Sequence, residues 1–363
     1  MAVKILERAI ELLKEGYICD NCLGRNFSEL LSGLTNEQRG ETIRRIVAFL
    51  IDSGEKIDID TSNLYGIKFR NVKIKPKKPK KCKVCKNFFL EQIDAVAKDI
   101  VKKFEGLEFD TFLIGSIPSD EMLHAEERVW QSAGIEWCEP IKSELNRELG
   151  KRVEKLTKKK FALKNPDVTV IVDLNTGRIE LQIRSIYVFG KYQKLVRGIP
   201  QTKWICRHCH GKGCLKCKGE GKLYKTSVQE IIEKPLIKAA KAKKSKMHAS
   251  GREDIDARCL GYRPFIIELV KPKKRKIDLQ ALAKQINKSK KVKVRALRFA
   301  SKEEIRRIKS ARTDKTYLAV VTFTKPVDAS RLKLLKKLTE RPVLQKTPMR
   351  VMPVSYTHLT LPT

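Results

Sequence analysis

Apolar residues fall at Val3, Leu6, Ile10 and Leu13, the spacing of one helix face, so the chain opens on a predicted amphipathic helix. Residues 42–50 repeat the pattern with Ile43, Ile46, Val47 and Leu50. The stretch 75–81 reads Lys-Pro-Lys-Lys-Pro-Lys-Lys, which excludes helix and predicts an extended basic arm. A third helical stripe follows at Leu90, Ile93, Val96, Ile100 and Phe104. Then come a predicted strand over 109–114 and helices around 121–130 and 141–149. Val168, Val170, Val172 and Leu174 alternate with other residues, Asn175-Thr176-Gly177 turns the chain, and Ile179, Leu181 and Ile183 alternate back, the pattern of a β-hairpin.

Beyond Gly190 the pattern changes. A Cys/Gly segment over 206–221 precedes a Lys-rich helix reaching about residue 246, a polar turn over 250–256 and a strand over 264–270. Predicted helices at 279–286, 302–308 and 329–338 then alternate with strands at 292–299 and 317–323, and no repeat of solenoid period appears. The expected fold class is α+β multidomain: a helical N-terminal unit over 1–87, an α/β module over 88–190, and from 191 a mixed or antiparallel sheet flanked by helices.

Composition narrows the setting. Lys and Arg number 78 against 42 Asp and Glu, a net charge of +36, on a chain that is 41% hydrophobic and therefore able to bury cores. Such an excess repels itself unless a polyanion is the partner, and the basic runs at 151–160, 238–246, 271–276 and 288–293 suit phosphate contacts. No uncharged apolar run approaches the roughly 20 residues of a membrane span, and the N-terminus has no signal-peptide core, so no membrane and a cytoplasmic setting are expected.

Eight of the ten cysteines stand in Cys-x-x-Cys pairs, which in a reducing compartment point to metal. Cys206, Cys209, Cys214 and Cys217 lie within twelve residues, interleaved with Gly211, Gly213, Gly219 and Gly221. Each half reads Cys-x-x-Cys-x-Gly-x-Gly, a zinc-knuckle pattern whose glycines let backbone N–H groups turn toward thiolates. Cys19, Cys22, Cys82 and Cys85 form a second set if the intervening chain brings the pairs together. A closed four-thiolate site is structural. His208 and His210 read as exposed residues of the knuckle, and Cys138 and Cys259 as small buried hydrophobes. Residues 251–258 pack five charges beside Gly251, immediately before a strand. This is either a charged turn or a loop holding a reactive carboxylate.

Taken together, several collinear motifs resemble the archaeal and eukaryal tRNA pseudouridine synthases acting on uridines 54 and 55. They are Gly198-Ile199-Pro200-Gln201-Thr202-Lys203-Trp204 with the knuckle after it, Ser250-Gly251-Arg252-Glu253-Asp254-Ile255-Asp256, Arg263-Pro264-Phe265, Lys315-Thr316-Tyr317 and Gln345-Lys346-Thr347-Pro348. The resemblance implies that 88–190 is a THUMP-containing RNA-binding domain and 191–353 a pseudouridine synthase catalytic domain with the knuckle as an insert. It implies Asp254 as the catalytic residue, with Asp256 the competing choice outside the motif, Tyr317 stacking on the target base and Arg252 near the RNA. It also implies the N-terminal cysteines as zinc ligands, tRNA as partner and no organic cofactor, since the isomerisation has no net redox change. Alternatives are a non-catalytic RNA-binding module or another THUMP-bearing tRNA-modifying enzyme.

Two departures carry expectations of their own. The segment from Leu260-Gly261 to Arg263-Pro264-Phe265 is one residue shorter than the family usually has, and the family's Gly-Thr-Tyr-Ile-basic-Glu motif is absent. The last ten residues, 354–363, contain no Asp, Glu, Lys or Arg and resemble a cloning or assembly artefact, so the chain is expected to lack part of its catalytic sheet and to be inactive or poorly folded at that end.

Overall fold

A computed structural model describes residues 2–251, 253–311, 316–340, 343–346 and 354–357. The chain divides into two compact units, 1–311 and 312–363.

The first unit starts with α1 (Ala2–Lys14), which turns Ala9, Leu12 and Leu13 into the core. Helix α2 (Asp20–Arg25) crosses α3 (Asn36–Asp52) at backbone contact: a Cβ on Gly24 would stand 1.8 Å from the Asn36 carbonyl oxygen, and one on Gly40 2.0 Å from that of Asp20. Only glycine fits at either position. Thr35 and Gln38 close a capping box that fixes where α3 begins. The basic arm at 75–81 has no helix or strand, as its prolines require.

Helix α4 (Ile93–Lys103) then leads into a four-stranded sheet with order β2-β1-β3-β4, built from β1 (Thr111–Ile117), β2 (Lys160–Phe161), β3 (Val168–Asp173) and β4 (Arg178–Ile183). Strand β1 runs parallel to β2 and β3, with α5 (Asp120–Ala133) and α6 (Ile141–Thr157) in the crossover. The expected hairpin is β3–β4, with Val170 opposite Leu181. Asp173 closes its turn by accepting from the Asn175 and Thr176 amides. One continuous apolar core runs from Ala9 of α1 through the N-terminal cysteines to Val172 of β3.

A second core gathers under an antiparallel sheet of order β6-β7-β5-β8. Its strands are β5 (Ile186–Lys194), β6 (Lys244–Ala249), β7 (Arg263–Val270) and β8 (Val292–Ala300). Helices α7 (Val228–Ala240) and α8 (Leu279–Asn287) pack Val228, Ile232, Leu236, Leu282 and Ile286 into that core, and α9 (Lys302–Ser310) follows β8. Gly190 of β5 has no room for a side chain, because a Cβ there would come 2.5 Å from Leu297 and 2.7 Å from the Phe265 ring.

The Lys-rich helix expected to reach residue 246 ends at Ala240. Lys241 takes a left-handed conformation at φ 46° and stops it, and residues 244–249 become edge strand β6. Alternation explains the change: Lys244 and Lys246 face solvent at every second position, a pattern a strand satisfies as well as a helix.

In the second unit, the strand expected at 317–323 is not formed. Residues 316–323 carry neither helix nor strand, and an extended segment without a ladder partner has nothing to fix it as sheet. The helix expected at 329–338 is the short α10 (Ala329–Lys333) followed by a 3-10 turn over Leu334–Thr339. Strands β9 (Val343–Lys346) and β10 (Val354–Thr357) pair antiparallel. Of the segment expected to be an artefact, 354–357 thus form β10, and 358–363 lie outside the described residues.

Candidate active site and metal centres

Strand β5 alternates strictly, and its inward phase runs Ile186, Val188, Gly190, Tyr192, Lys194. A lysine in that phase must be satisfied, and Lys194 is. Fully buried, its Nζ donates to the carbonyl oxygens of Ile199 at 3.2 Å, Asp254 at 2.7 Å and Ile255 at 3.1 Å. Burial lowers its pKa, while Glu253 nearby opposes the shift. The ammonium therefore ties the loop carrying Asp254 onto the sheet.

Beside it lies a second tether. The Tyr192 hydroxyl donates to Glu253 Oε2 at 2.7 Å, and Gln201 Nε2 donates to the Tyr192 oxygen at 2.8 Å and to the Gly251 carbonyl at 3.1 Å. Arg263, which opens β7, reaches Glu253 at 3.4 Å and donates to the Ser250 carbonyl at 2.9 Å. Glu253 is only 5% exposed, whereas Asp254 and Asp256 are open to solvent. The two side chains of the Glu-Asp pair are thus divided: Glu253 anchors inward and Asp254 projects outward. Gly251, at φ 59°, allows the turn.

The buried partners of this loop were not among the residues singled out by charge pattern. Lys194 and Tyr192 carry a readable signal, a polar residue in the buried phase of an apolar strand. Gln201 carries none beyond its place in a motif. Arg252 lies outside the described residues. Tyr317 belongs to the second unit, where it is 59% exposed. A cavity of about 590 Å³ lies elsewhere, lined by Asp167, Arg184, Tyr187, Arg275, Phe299 and Lys302 among others, and none of its lining residues belongs to the Asp254 loop.

The eight paired cysteines form two groups, Cys19, Cys22, Cys82, Cys85 and Cys206, Cys209, Cys214, Cys217, each with its sulfurs within 4.8 Å of one another. Sulfurs of a tetrahedral zinc thiolate centre stand about 3.8 Å apart, given bonds of about 2.3 Å. Here Cys19 and Cys85 are at 3.5 Å, Cys206 and Cys214 at 3.9 Å, Cys209 and Cys217 at 3.7 Å and Cys214 and Cys217 at 3.6 Å, so both donor sets fit such an ion. The glycines act as expected: the amides of Gly213 and Gly221 donate to Cys209 and Cys217 sulfurs at 3.2 Å. In the N-terminal group, burial raises Cys22 far above a thiol's ordinary pKa, while hydrogen bonds from Cys19, Cys22 and Cys85 pull Cys82 far below it. Four buried sulfurs cannot all ionise without a cation among them.

Arg25 extends that centre into the neighbouring helices. It lies 3.6 Å from Cys22 Sγ, 3.3 Å from Glu126 of α5 and 3.4 Å from Glu144 of α6, with all three ionic side chains buried. His208 and His210 are exposed, as expected. Cys138 and Cys259 are half-buried rather than buried: Cys138 accepts from Arg8 at 2.8 Å, and the Cys259 thiol donates to the Gly261 carbonyl. Polar partners keep both at the edge of the core.

Among the described residues no helix is long and apolar enough to cross a membrane. Residues 96–173 match the family described as Pus10 THUMP domain, archaeal, and 187–355 that described as Pus10, C-terminal. A protein of Methanothrix thermoacetophila named tRNA pseudouridine synthase Pus10 is 37% identical over 97% of this chain and 79% of its own length. Proteins of the same name from Methanopyrus kandleri and Archaeoglobus fulgidus are 40% and 42% identical, the first over 96% of this chain and 82% of its own, the second over 75% of each.

Proposed function

The chain belongs to the Pus10 family, and from that premise we propose that it is a tRNA pseudouridine synthase acting on uridine 54, uridine 55 or both, with Asp254 as its catalytic residue. The observation that carries the assignment to Asp254 is the division of labour in its loop: Glu253 is buried against Tyr192 and Arg263 while the adjacent Asp254 carboxylate stands open to solvent. A group that meets a nucleotide must be both held and accessible. Lys194 supplies the hold through the Asp254 carbonyl.

In this reading the target uridine leaves the stack and presents its glycosidic carbon to the loop. The N1–C1′ bond breaks, the uracil rotates, and a C5–C1′ bond forms. The proton lost from C5 is balanced by one gained at N1. Asp254 assists at C1′ as nucleophile or at C2′ as base. Tyr317 stacks on the base and Arg252 contacts the RNA. The THUMP domain, the basic runs and the knuckle sit on a chain whose charge suits tRNA.

Both cysteine groups bind zinc in a structural role and no organic cofactor is needed. The domains run 1–87, 88–190 and 191–353, and the protein works in the cytoplasm. The test is a transcript series with U54→C, U55→C or both replaced. The chain, extended by the C-terminal segment of the Methanothrix relative, should form pseudouridine, read by carbodiimide reactivity, in the unreplaced transcript and in none with both positions changed. Pseudouridine persisting in the double replacement overturns the assignment of position, and tRNA binding without any pseudouridine reduces the chain to an RNA-binding module.

A further inference from the structure

The knuckle at 206–221 is more than a staple. It projects from a short neck in which Cys206 donates to the Gly221 carbonyl and Leu223 to that of Trp204, both at 2.9 Å, with Ile205 bridged to Lys222. The Trp204 and Tyr224 rings meet edge to face at 5.6 Å across the neck. At its root the Val228 amide donates to Pro200 and that of Gln229 to Gln201.

That root is also bonded to the Asp254 loop. The Gly198 amide donates to the Ile255 carbonyl at 3.0 Å, and Gln201 reaches Gly251 at 3.1 Å. Whatever nucleic acid enters the Asp254 loop therefore passes next to a rigidly attached projection.

The chemistry of that projection is one-sided. Residues 203–225 contain seven Lys or Arg against the single acid Glu220. Lys222 alone is neutralised, by Glu230 at 2.8 Å. Lys203, Arg207, Lys212, Lys216, Lys218 and Lys225 are exposed, and no carboxylate pairs with them among the described residues. A cationic cluster this dense raises the folding cost of the loop through self-repulsion, and a polyanion relieves it. At the tip, Leu215 is 98% exposed and covered by nothing in its own unit.

We propose that the knuckle is a tRNA-docking element, its lysines seated on the phosphate backbone next to the nucleotide delivered to the Asp254 loop. An acidic protein would meet the same charge, but the bonds to Ile255 and Gly251 place the element beside the loop where RNA must arrive. The inference rests on the proposed tRNA substrate and deepens it by naming the contact surface.

The experiment titrates fluorescent unmodified tRNA transcript with the chain as it stands, over a series of salt concentrations, for wild type and for the variant Lys212→Gln/Lys216→Gln/Lys218→Gln. Each phosphate contact contributes about 0.7 to 0.9 to the slope of log affinity against log salt. The triple variant should therefore bind about tenfold more weakly near physiological salt with a slope shallower by about 2, at unchanged metal content. A control triple in the N-terminal unit, at exposed lysines outside the THUMP match and the basic runs, Lys4→Gln/Lys56→Gln/Lys68→Gln, should lose less than threefold. Should the knuckle triple shed metal, the single Lys216→Glu keeps the test open and should weaken binding about threefold or more. Affinity and slope unchanged in the knuckle variants, or equal losses in the control, overturn the docking role and leave the synthase reading standing. Failure of wild type to bind tRNA overturns both.

Discussion

At the scale of single residues, the most consequential side chain is one that no charge motif marks. Lys194→Met removes the ammonium that draws three carbonyls together under the Asp254 loop; those of Asp254 and Ile255 keep the amides of Ala257 and Gly198, and that of Ile199 loses its donor. Leaving one buried acceptor unpaired costs about 1 to 3 kcal/mol, so a loss of that size in urea unfolding is expected, together with a fall in turnover larger than any change in tRNA affinity. Asp167 offers a pH test. Burial would raise its pKa, but Arg184 and the amides of Asp110 and Thr111 outweigh that and hold it below the ordinary value, with Arg275 assisting at 3.1 Å. A depressed carboxylate pKa means that its stabilisation is present above about pH 4 and is lost as pH falls through the folded-state value. Asp167→Asn should therefore cost about 2 to 3 kcal/mol at pH 7 by thermal unfolding, with the gap to wild type closing below about pH 4. Asp167 was illegible for a plain reason. Asp167 acts by joining Thr111, Arg184 and Arg275, and sequence does not state which distant residues will meet.

At the scale of elements, legibility followed the strength of the local constraint. The β3–β4 hairpin was legible because alternation and an Asn-Thr-Gly turn agree, and the knuckle because four cysteines and four glycines leave few other conformations. Strand β6 was misread because Lys241 ends α7 by adopting a left-handed backbone that any residue signals weakly. The expected strand at 317–323 reads Tyr-Leu-Ala-Val-Val-Thr-Phe, an apolar run without alternation, and has no ladder partner among the described residues. The two cysteine groups carry a prediction at this scale. Cys82→Ser and Cys214→Ser should each lower bound metal from two ions per chain to one, measured by mass spectrometry, and neither should remove both. Of the two, Cys82→Ser should also loosen α5 and α6 in hydrogen exchange, because Arg25 spans Cys22, Glu126 and Glu144.

At the scale of the whole molecule, the net charge of +36 is distributed over a chain with two cores, one under each sheet of the first unit. The first core unites the N-terminal cysteines with the sheet that matches the THUMP family, so the four-cysteine group and the THUMP fold share one packed interior. The second carries the Asp254 loop and, beside it, the basic knuckle. Charge thus has a division of tasks: Lys194 and Arg263 turn inward to shape the loop, and the exposed lysines face outward toward tRNA. The measurement that bears most directly on this account is single-turnover pseudouridine formation at uridines 54 and 55 by the chain extended with a relative's C-terminal segment, in wild type, Asp254→Ala and Asp256→Ala, with tRNA affinity followed in parallel. The account predicts loss of about a thousandfold or more for Asp254→Ala at affinity within about threefold of wild type, and a far smaller effect for Asp256→Ala. Undiminished pseudouridine from Asp254→Ala, or the loss falling on Asp256→Ala instead, would contradict it.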